Sequence, residues 1–170
     1  MRLGLAFFLI FFCLVAGAAE PKTDSNYQLY LVRHAEKQSD GSNDPLLTEA
    51  GAQRANQLAH WFQDKDIKKV WSSDYHRTRD TAKPSLIILG LELGIYDPRD
   101  LATFSEKLLR DQKTAIIVGH SNTTPELASL LCDCAVAEMD ESEYDRLIVI
   151  SVTKTGTQVE TLQQNHLFKP

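Results

Sequence analysis

Three short apolar runs constrain this chain more than any other feature. Residues 27–32, 67–72 and 114–118 are rich in β-favouring side chains, and each run stops where polar chemistry begins. The first ends at Arg33-His34, the second at Ser73, and the third at Gly119-His120. The segments between them carry helical spacing. Gly51, Ala55, Leu58, Ala59 and Phe62 recur on one face behind Thr48, an N-cap residue, and predict a helix over 49–64. A second helix is expected over 78–89, with Pro84 in its first turns or at a kink. A short strand at 93–96 precedes a helix over 98–110, with Leu101, Phe104, Leu108 and Leu109 on one face. Another helix covers 124–131, where Pro125 suits the first turn. Strands at 147–152 and 158–162 close the chain as a hairpin around Thr155-Gly156. Strands alternating with helices predict an α/β fold, a three-layer αβα sandwich with a mostly parallel central sheet. Such sheets bind ligands at the carboxyl ends of their strands, which is where the polar residues stand.

The first 18 residues are set apart. Arg2 supplies a positive start, Leu5 to Val15 is almost wholly apolar, and Ala16-Gly17-Ala18 is a small-residue cleavage pattern. This reads as a secretory signal peptide, since a membrane span needs about 20 apolar residues; an uncleaved anchor is the alternative. Residues 19–170 are then expected as a single domain, periplasmic or secreted, with no stable membrane insertion once the signal is removed. Cys13 leaves with the signal. Cys132 and Cys134 are expected as free thiols or a strained pair at a helix end, because so short a loop is awkward to bridge. Neither has further ligands at zinc spacing, so no metal is expected. With 18 basic against 23 acidic residues and no basic run, nucleic acid is not an expected partner. Phosphate remains possible, because local arginines decide that matter rather than net charge.

Such arginines are present. Arg33, Arg77 and Arg79 are planar forks suited to phosphate oxygens. Ser73 can add a hydroxyl, and the amides opening the helices after Arg77 and His120 can add anion-binding dipoles. Gly119 removes a side chain where something approaches the backbone closely. Lys37, Asp40 and Asp44 either line the mouth of a pocket or solvate the turn cluster at 39–45. Ser121, Asn122 and Thr123 are expected to cap the helix after His120.

The order Leu31-Val32-Arg33-His34-Ala35, then Ser73-Asp74 with Arg77 and Thr81-Ala82, then Val118-Gly119-His120-Ser121, resembles the histidine phosphatase superfamily, the phosphoglycerate-mutase-like proteins. The resemblance implies that His34 is the nucleophile and that Arg33 and Arg77 hold the phosphate. It also implies that His120 completes the pocket and stabilises the transferring group, and that no metal or cofactor takes part. Mutase members carry glycine, threonine and asparagine where Ala35, Lys37 and Asp40 stand here, so the resemblance is to the short phosphatase-type members. The glutamate that many members use as proton donor has no counterpart segment. Asp97, before Pro98, is the first candidate acid, with a helix cap as its alternative role; Glu36 and Glu126 rank below it. The expected activity is an exported, metal-independent phosphomonoesterase of histidine acid phosphatase type. It would act on a small phosphorylated substrate through phospho-His34. A phosphohistidine-protein or lipopolysaccharide-sugar phosphatase is the alternative enzyme. A non-catalytic phosphate- or phosphosugar-binding protein on the same fold is the alternative of another class.

Overall fold

A computed structural model describes residues 26–168. The signal-peptide reading of residues 1–18, with Cys13, lies outside the described residues. The elements run in the order β1 (Tyr27–Arg33), α1 (Glu49–Phe62), β2 (Lys69–Ser73), α2 (His76–Leu89), β3 (Leu93–Tyr96), α3 (Leu101–Asp111), β4 (Ala115–Gly119), α4 (Thr123–Cys132), β5 (Arg146–Thr153), β6 (Gly156–Gln163) and α5 (Gln164–Leu167).

The six strands form one sheet in the order β3-β2-β4-β1-β5-β6. The first four run parallel, and β5 and β6 add antiparallel pairings at one side. Side chains alternate between the two faces of a strand, and here both faces are apolar. Leu29, Leu31, Ile117, Ile148 and Ile150 pack with Phe104 and Leu108 of α3 and Leu127 and Leu131 of α4. Tyr30, Val32, Ile116, Val118, Leu147 and Val149 pack with Leu58 and Phe62 of α1 and Ala82 of α2. The result is the expected three-layer sandwich. Each fully buried Leu, Ile or Val contributes about 1.5–3 kcal/mol, whereas an exposed ion pair contributes at most about 1 kcal/mol. The two apolar layers therefore hold the strand ends in register.

Local signals explain the helix starts, with some departures from expectation. Thr48 caps α1, its hydroxyl accepting from Gly51 N at 3.1 Å. Gly51 is needed there for a second reason: a Cβ would lie 2.2 Å from the Glu36 carbonyl oxygen. The helix expected from Pro98 begins instead at Leu101, because Asp100 takes the cap position and accepts from Thr103 N. Pro84 is neither in the first turn of α2 nor at its end; the helix continues past it, with Ala82 and Ser85 buried on either side. Packing against the sheet and α1 outweighs the missing backbone donor. Cys132 and Cys134 are bridged, with Cα atoms 5.2 Å apart, within ordinary disulfide range.

The strand register sets the polar strand ends side by side. Arg33 lies opposite Gly119 on the central pair β1 and β4, and Ser72 lies opposite Val118 on β2 and β4. The next residue along each of these strands is His34, His120 or Ser73. Neighbouring strands are about 4.8 Å apart, so the fold brings those three side chains together.

Candidate active site

His34 is 3% exposed at the end of β1. Its backbone N–H donates to Gly119 O at 2.9 Å, and its Nδ1 lies 2.9 Å from Ala35 O. A carbonyl only accepts, so Nδ1 carries the proton and Nε2 keeps a free lone pair. Burial pushes the imidazole pKa down to about 3, with the positive charges of Arg33 and Arg77 acting in the same direction against the carbonyl bond. The ring is therefore neutral at physiological pH. The loop after His34 is fixed by Ala35 N donating to Thr81 Oγ1 at 2.9 Å.

His120 lies with its ring centre 5.5 Å from that of His34. Its Nε2 is 2.9 Å from Ser73 Oγ and its Nδ1 3.4 Å from Arg77 Nη2. A guanidinium only donates, so Nδ1 is the acceptor and Nε2–H donates to the serine. Ser73 Oγ donates onward to Thr78 Oγ1. Burial, then the charges of Arg77 and Arg33, bring the His120 pKa down to about 4. Ser73, expected to offer its hydroxyl to a substrate, is fully buried and spends both hydrogen-bonding directions on His120 and Thr78. It is a positioning residue for His120. Gly119 admits the Tyr96 hydroxyl and the hydroxyls of Thr123 and Thr124, which a Cβ would meet at 2.8–3.0 Å. The close approach read from this glycine is thus made by neighbouring side chains.

Arg77 stands in the first turn of α2, its guanidinium 4.5 Å from the Tyr75 ring centre, with Nη1 3.3 Å from Asp44 Oδ1. Asp44 also accepts from His76 N. The Nε of Arg77 is buried without a hydrogen-bond partner. Buried donors are rarely left so, and the Nε of Arg33 is in the same state. Arg79 instead pairs with Asp74, with Nη2 3.5 Å from His76 Nδ1, and is not part of the wall around His34 and His120.

Arg33 is 1% exposed, and it does not line the cavity as a phosphate holder would. Its Nη1 donates to the carbonyls of Asp140, Glu141 and Glu143, and its Nη2 to Glu141 Oε2 at 3.0 Å. Its plane lies 4.2 Å from the Tyr144 ring centre. Only Nε remains without a partner. The connection between α4 and β5 thus wraps around Arg33. Glu141 also accepts a short hydrogen bond from the Ser121 hydroxyl, so Ser121 binds this loop instead of capping α4. None of Glu141, Glu143 or Tyr144 was singled out from sequence. The acidic run Asp140-Glu141-Ser142-Glu143 was the available signal for a partner to a buried arginine.

A cavity of about 330 Å³ opens over these groups, lined by His34, Lys37, Tyr75, Arg77, His120 and Glu141, with Pro98, Arg99 and residues 121–123 completing the wall. Lys37 is part of the wall, and Asp44, outside it, accepts from Arg77. A larger groove of about 580 Å³, beside Trp61, Lys65 and Phe168, shares no residue with it. The candidate acids lie elsewhere. Asp97 faces out of the cavity, and Arg99 holds it in a two-pronged pair at 2.9 Å, which lowers its pKa; a proton donor needs the opposite shift. Nor does Asp97 cap α3, since Asp100 does. Burial pushes Glu36 up, but the hydrogen bonds and charge of Arg54 outweigh that and hold its pKa low. Glu126 is exposed on α4, outside the cavity wall. Among the described residues no group of three His, Cys, Asp or Glu side chains is placed to hold a metal ion.

A neutral imidazole nitrogen, a second histidine and an arginine around one cavity can receive a phosphoryl group. Comparison with known proteins points the same way. Residues 29–101 match the histidine phosphatase superfamily (branch 1). Over 78 residues the chain is 37% identical to a Yersinia pestis protein named "Probable phosphoglycerate mutase GpmB", covering 42% of this chain and 36% of that protein. The match thus spans only about a third of the curated relative's length. Among solved structures, the protein histidine phosphatase SixA complexed with tungstate superposes with a TM-score of 0.67 at 16% identity, over 82% of this chain and 99% of that one. Mycobacterial glucosyl-3-phosphoglycerate phosphatase gives 0.64 at 14% identity, over 82% and 99%. At such identities these structures show a shared fold.

Proposed function

Because this chain belongs to the histidine phosphatase superfamily, we propose that it is a phosphomonoesterase working through a phosphohistidine on His34. The observation that carries this is the His34 ring itself. Its Nδ1–H is tied to Ala35 O, so the nucleophilic lone pair sits on Nε2 with no base needed to free it. Nε2 attacks phosphorus and forms a P–N bond. The ester P–O bond breaks, its electron pair leaves with the oxygen, and that oxygen takes a proton from water. Water then attacks the phosphohistidine, the P–N pair returns to Nε2, and inorganic phosphate departs. Arg77, in the cavity wall, meets the equatorial oxygens with its guanidinium. Arg33 acts through its charge, which bears on both histidine rings. His120 Nδ1 faces Arg77; an arriving dianion favours proton uptake there and so creates a further cation beside the phosphate.

A phosphohistidine-protein phosphatase is the second reading, favoured by Glu141. It is the carboxylate in the cavity wall, and the Ser121 hydrogen bond, then the Arg33 charge, hold its pKa low despite some burial. A site whose carboxylate stays ionised suits leaving groups that depart without a carboxylic acid, such as aryl oxygens or imidazole. Export is proposed from residues 1–18, and a bridged Cys132–Cys134 pair suits an oxidising compartment. Turnover of p-nitrophenyl phosphate tests the enzyme reading. Hydrolysis that is lost in His34→Ala supports it. Binding of phosphate without turnover supports the non-catalytic alternative.

A further inference from the structure

Asp44 takes no part in the phosphoryl chemistry and lies outside the cavity wall, yet it joins two elements that do. It belongs to the connection between β1 and α1, which leaves the sheet directly after Arg33 and His34. The two ends of that connection are tied together. Lys37 bridges to Leu47, Gln38 N donates to Leu46 O at 2.9 Å, and Gln38 Nε2 donates to Leu47 O at 3.2 Å. Pro45 is buried directly after Asp44, and a residue before proline has a restricted backbone.

The carboxylate meets α2 at its start. Tyr75 holds the N-cap position but makes no side-chain cap bond. Asp44 supplies the cap from outside the helix, its two oxygens accepting from His76 N at 2.9 and 3.1 Å. The same Oδ1 accepts from Arg77 Nη1 at 3.3 Å, and Asn43 O lies 3.5 Å from that nitrogen. The other amino group, Nη2, lies 3.4 Å from His120 Nδ1, and the Tyr75 ring packs at 4.5 Å. An arginine side chain has many rotamers, and each of these contacts removes some of that freedom before a ligand arrives. By charge alone Asp44 would oppose an anion, since it partly neutralises the cation that meets phosphate. Its geometry gives it a different effect, which is to fix where that cation stands.

We propose that Asp44 is the positioning residue for Arg77. The loop that follows the nucleophile's strand thereby aims the guanidinium, and phosphate affinity depends on a carboxylate outside the cavity. This rests on the reading of Arg77 as the phosphate-holding cation and adds the residue that directs it.

The test measures the affinity for inorganic phosphate by calorimetry, with turnover of phenyl phosphate as a second readout, in Asp44→Ala, Asp44→Asn, Arg77→Ala and the Asp44→Ala/Arg77→Ala double variant. Asp44→Ala is expected to weaken phosphate binding about fivefold or more, the scale of coupling between residues in contact, and to lower kcat/KM by a similar factor. In the Arg77→Ala background the same change is expected to move phosphate affinity by less than about twofold. Asparagine caps a helix as well as aspartate does. Asp44→Asn is therefore expected to keep the wild-type melting temperature and still weaken phosphate about threefold or more. Full wild-type affinity in Asp44→Asn would reduce Asp44 to a helix cap. Tighter phosphate binding in either Asp44 variant would make it a charge that opposes the ligand. A loss of equal size with and without Arg77 would remove the link between the two residues. Each of these three results overturns the proposal. Phosphate affinity indifferent to Arg77→Ala overturns the assignment of Arg77, and the proposal with it. The expected affinity pattern in a protein that does not turn over phenyl phosphate supports the proposal and overturns only the phosphomonoesterase reading.

Discussion

The carboxylate of Glu141 reaches Arg33 Nη2 at 3.0 Å, so a side chain that is 79% exposed holds one that is 1% exposed. The pair fastens the connection between α4 and β5 onto the end of β1. Three backbone carbonyls remain on Arg33 when the carboxylate is removed, and solvent screens the exposed partner. Glu141→Ala is therefore expected to cost only about 1 kcal/mol in urea unfolding. Arg33→Met strips all four contacts and leaves the loop carbonyls unpaired, so it is expected to cost at least about 3 kcal/mol. Equal losses in the two variants would contradict this division of labour. Because Glu141 has a depressed folded pKa, its contribution is present above about pH 4.5 and is lost as pH falls through the lower folded value.

Arg77 touches His120, Asp44 and Tyr75 and also lines the cavity. Its charge meets ground state and transition state alike, so Arg77→Ala is expected to raise KM and lower kcat together. A charge-assisted bond to a phosphate in a half-buried site is worth about 1.5–3 kcal/mol, or at least about tenfold in kcat/KM. Steady-state kinetics on an aryl phosphate check this; a near-neutral variant would remove Arg77 from the phosphate position.

The two histidines carry opposite tautomers, proton on Nδ1 in His34 and on Nε2 in His120. Both are expected to remain neutral at pH 5.5 in the ligand-free protein, well below the ordinary 6.5, and nitrogen NMR of the imidazoles reads this directly. A folded pKa below the unfolded one means that the unfolded chain binds more protons. Stability therefore falls as pH drops from about 6.5 toward 4 for His120 and toward 3 for His34. Replacing His34 with Asn is expected to flatten that part of the pH–stability curve. Charged imidazoles at pH 5.5 would overturn the arrangement.

The sandwich was legible because its signals are local: β-rich runs, the cap at Thr48 and the apolar stripe along α1 are all written within a few residues. The meeting of His34 with His120 was legible through strand-end placement and family resemblance, but the register that pairs Arg33 with Gly119 is not a local property. The grip on Arg33 was not legible. Its partners lie 107–110 residues away in a connection without periodicity, and nothing near Arg33 announces them. Ser73 misled because a serine at a strand end offers the same hydroxyl to a substrate or to a neighbour. Burial decided for the neighbour. Asp97 misled similarly, since the sequence shows a carboxylate in the right region but not that Arg99 claims it.

Asp97→Asn consequently distinguishes the two assignments of that residue. A general acid speeds departure of a poor leaving group by about 10²–10⁴-fold, so its loss would slow alkyl phosphates far more than aryl phosphates. With Asp97 turned away and paired, the alkyl-to-aryl rate ratio is expected to stay within about twofold of wild type, an effect far below the general-acid range. A selective collapse of alkyl turnover would restore Asp97 as the donor.

The proposed reaction bonds phosphorus to Nε2 of His34. Rapid quench with phosphorus-labelled aryl phosphate, split between acid and alkaline workup, measures it most directly. The expected result is a protein-bound label that survives alkali, is lost in acid, maps to His34 and is absent from His34→Ala. A label stable in acid and lost in alkali, or one that persists in His34→Ala, would contradict it.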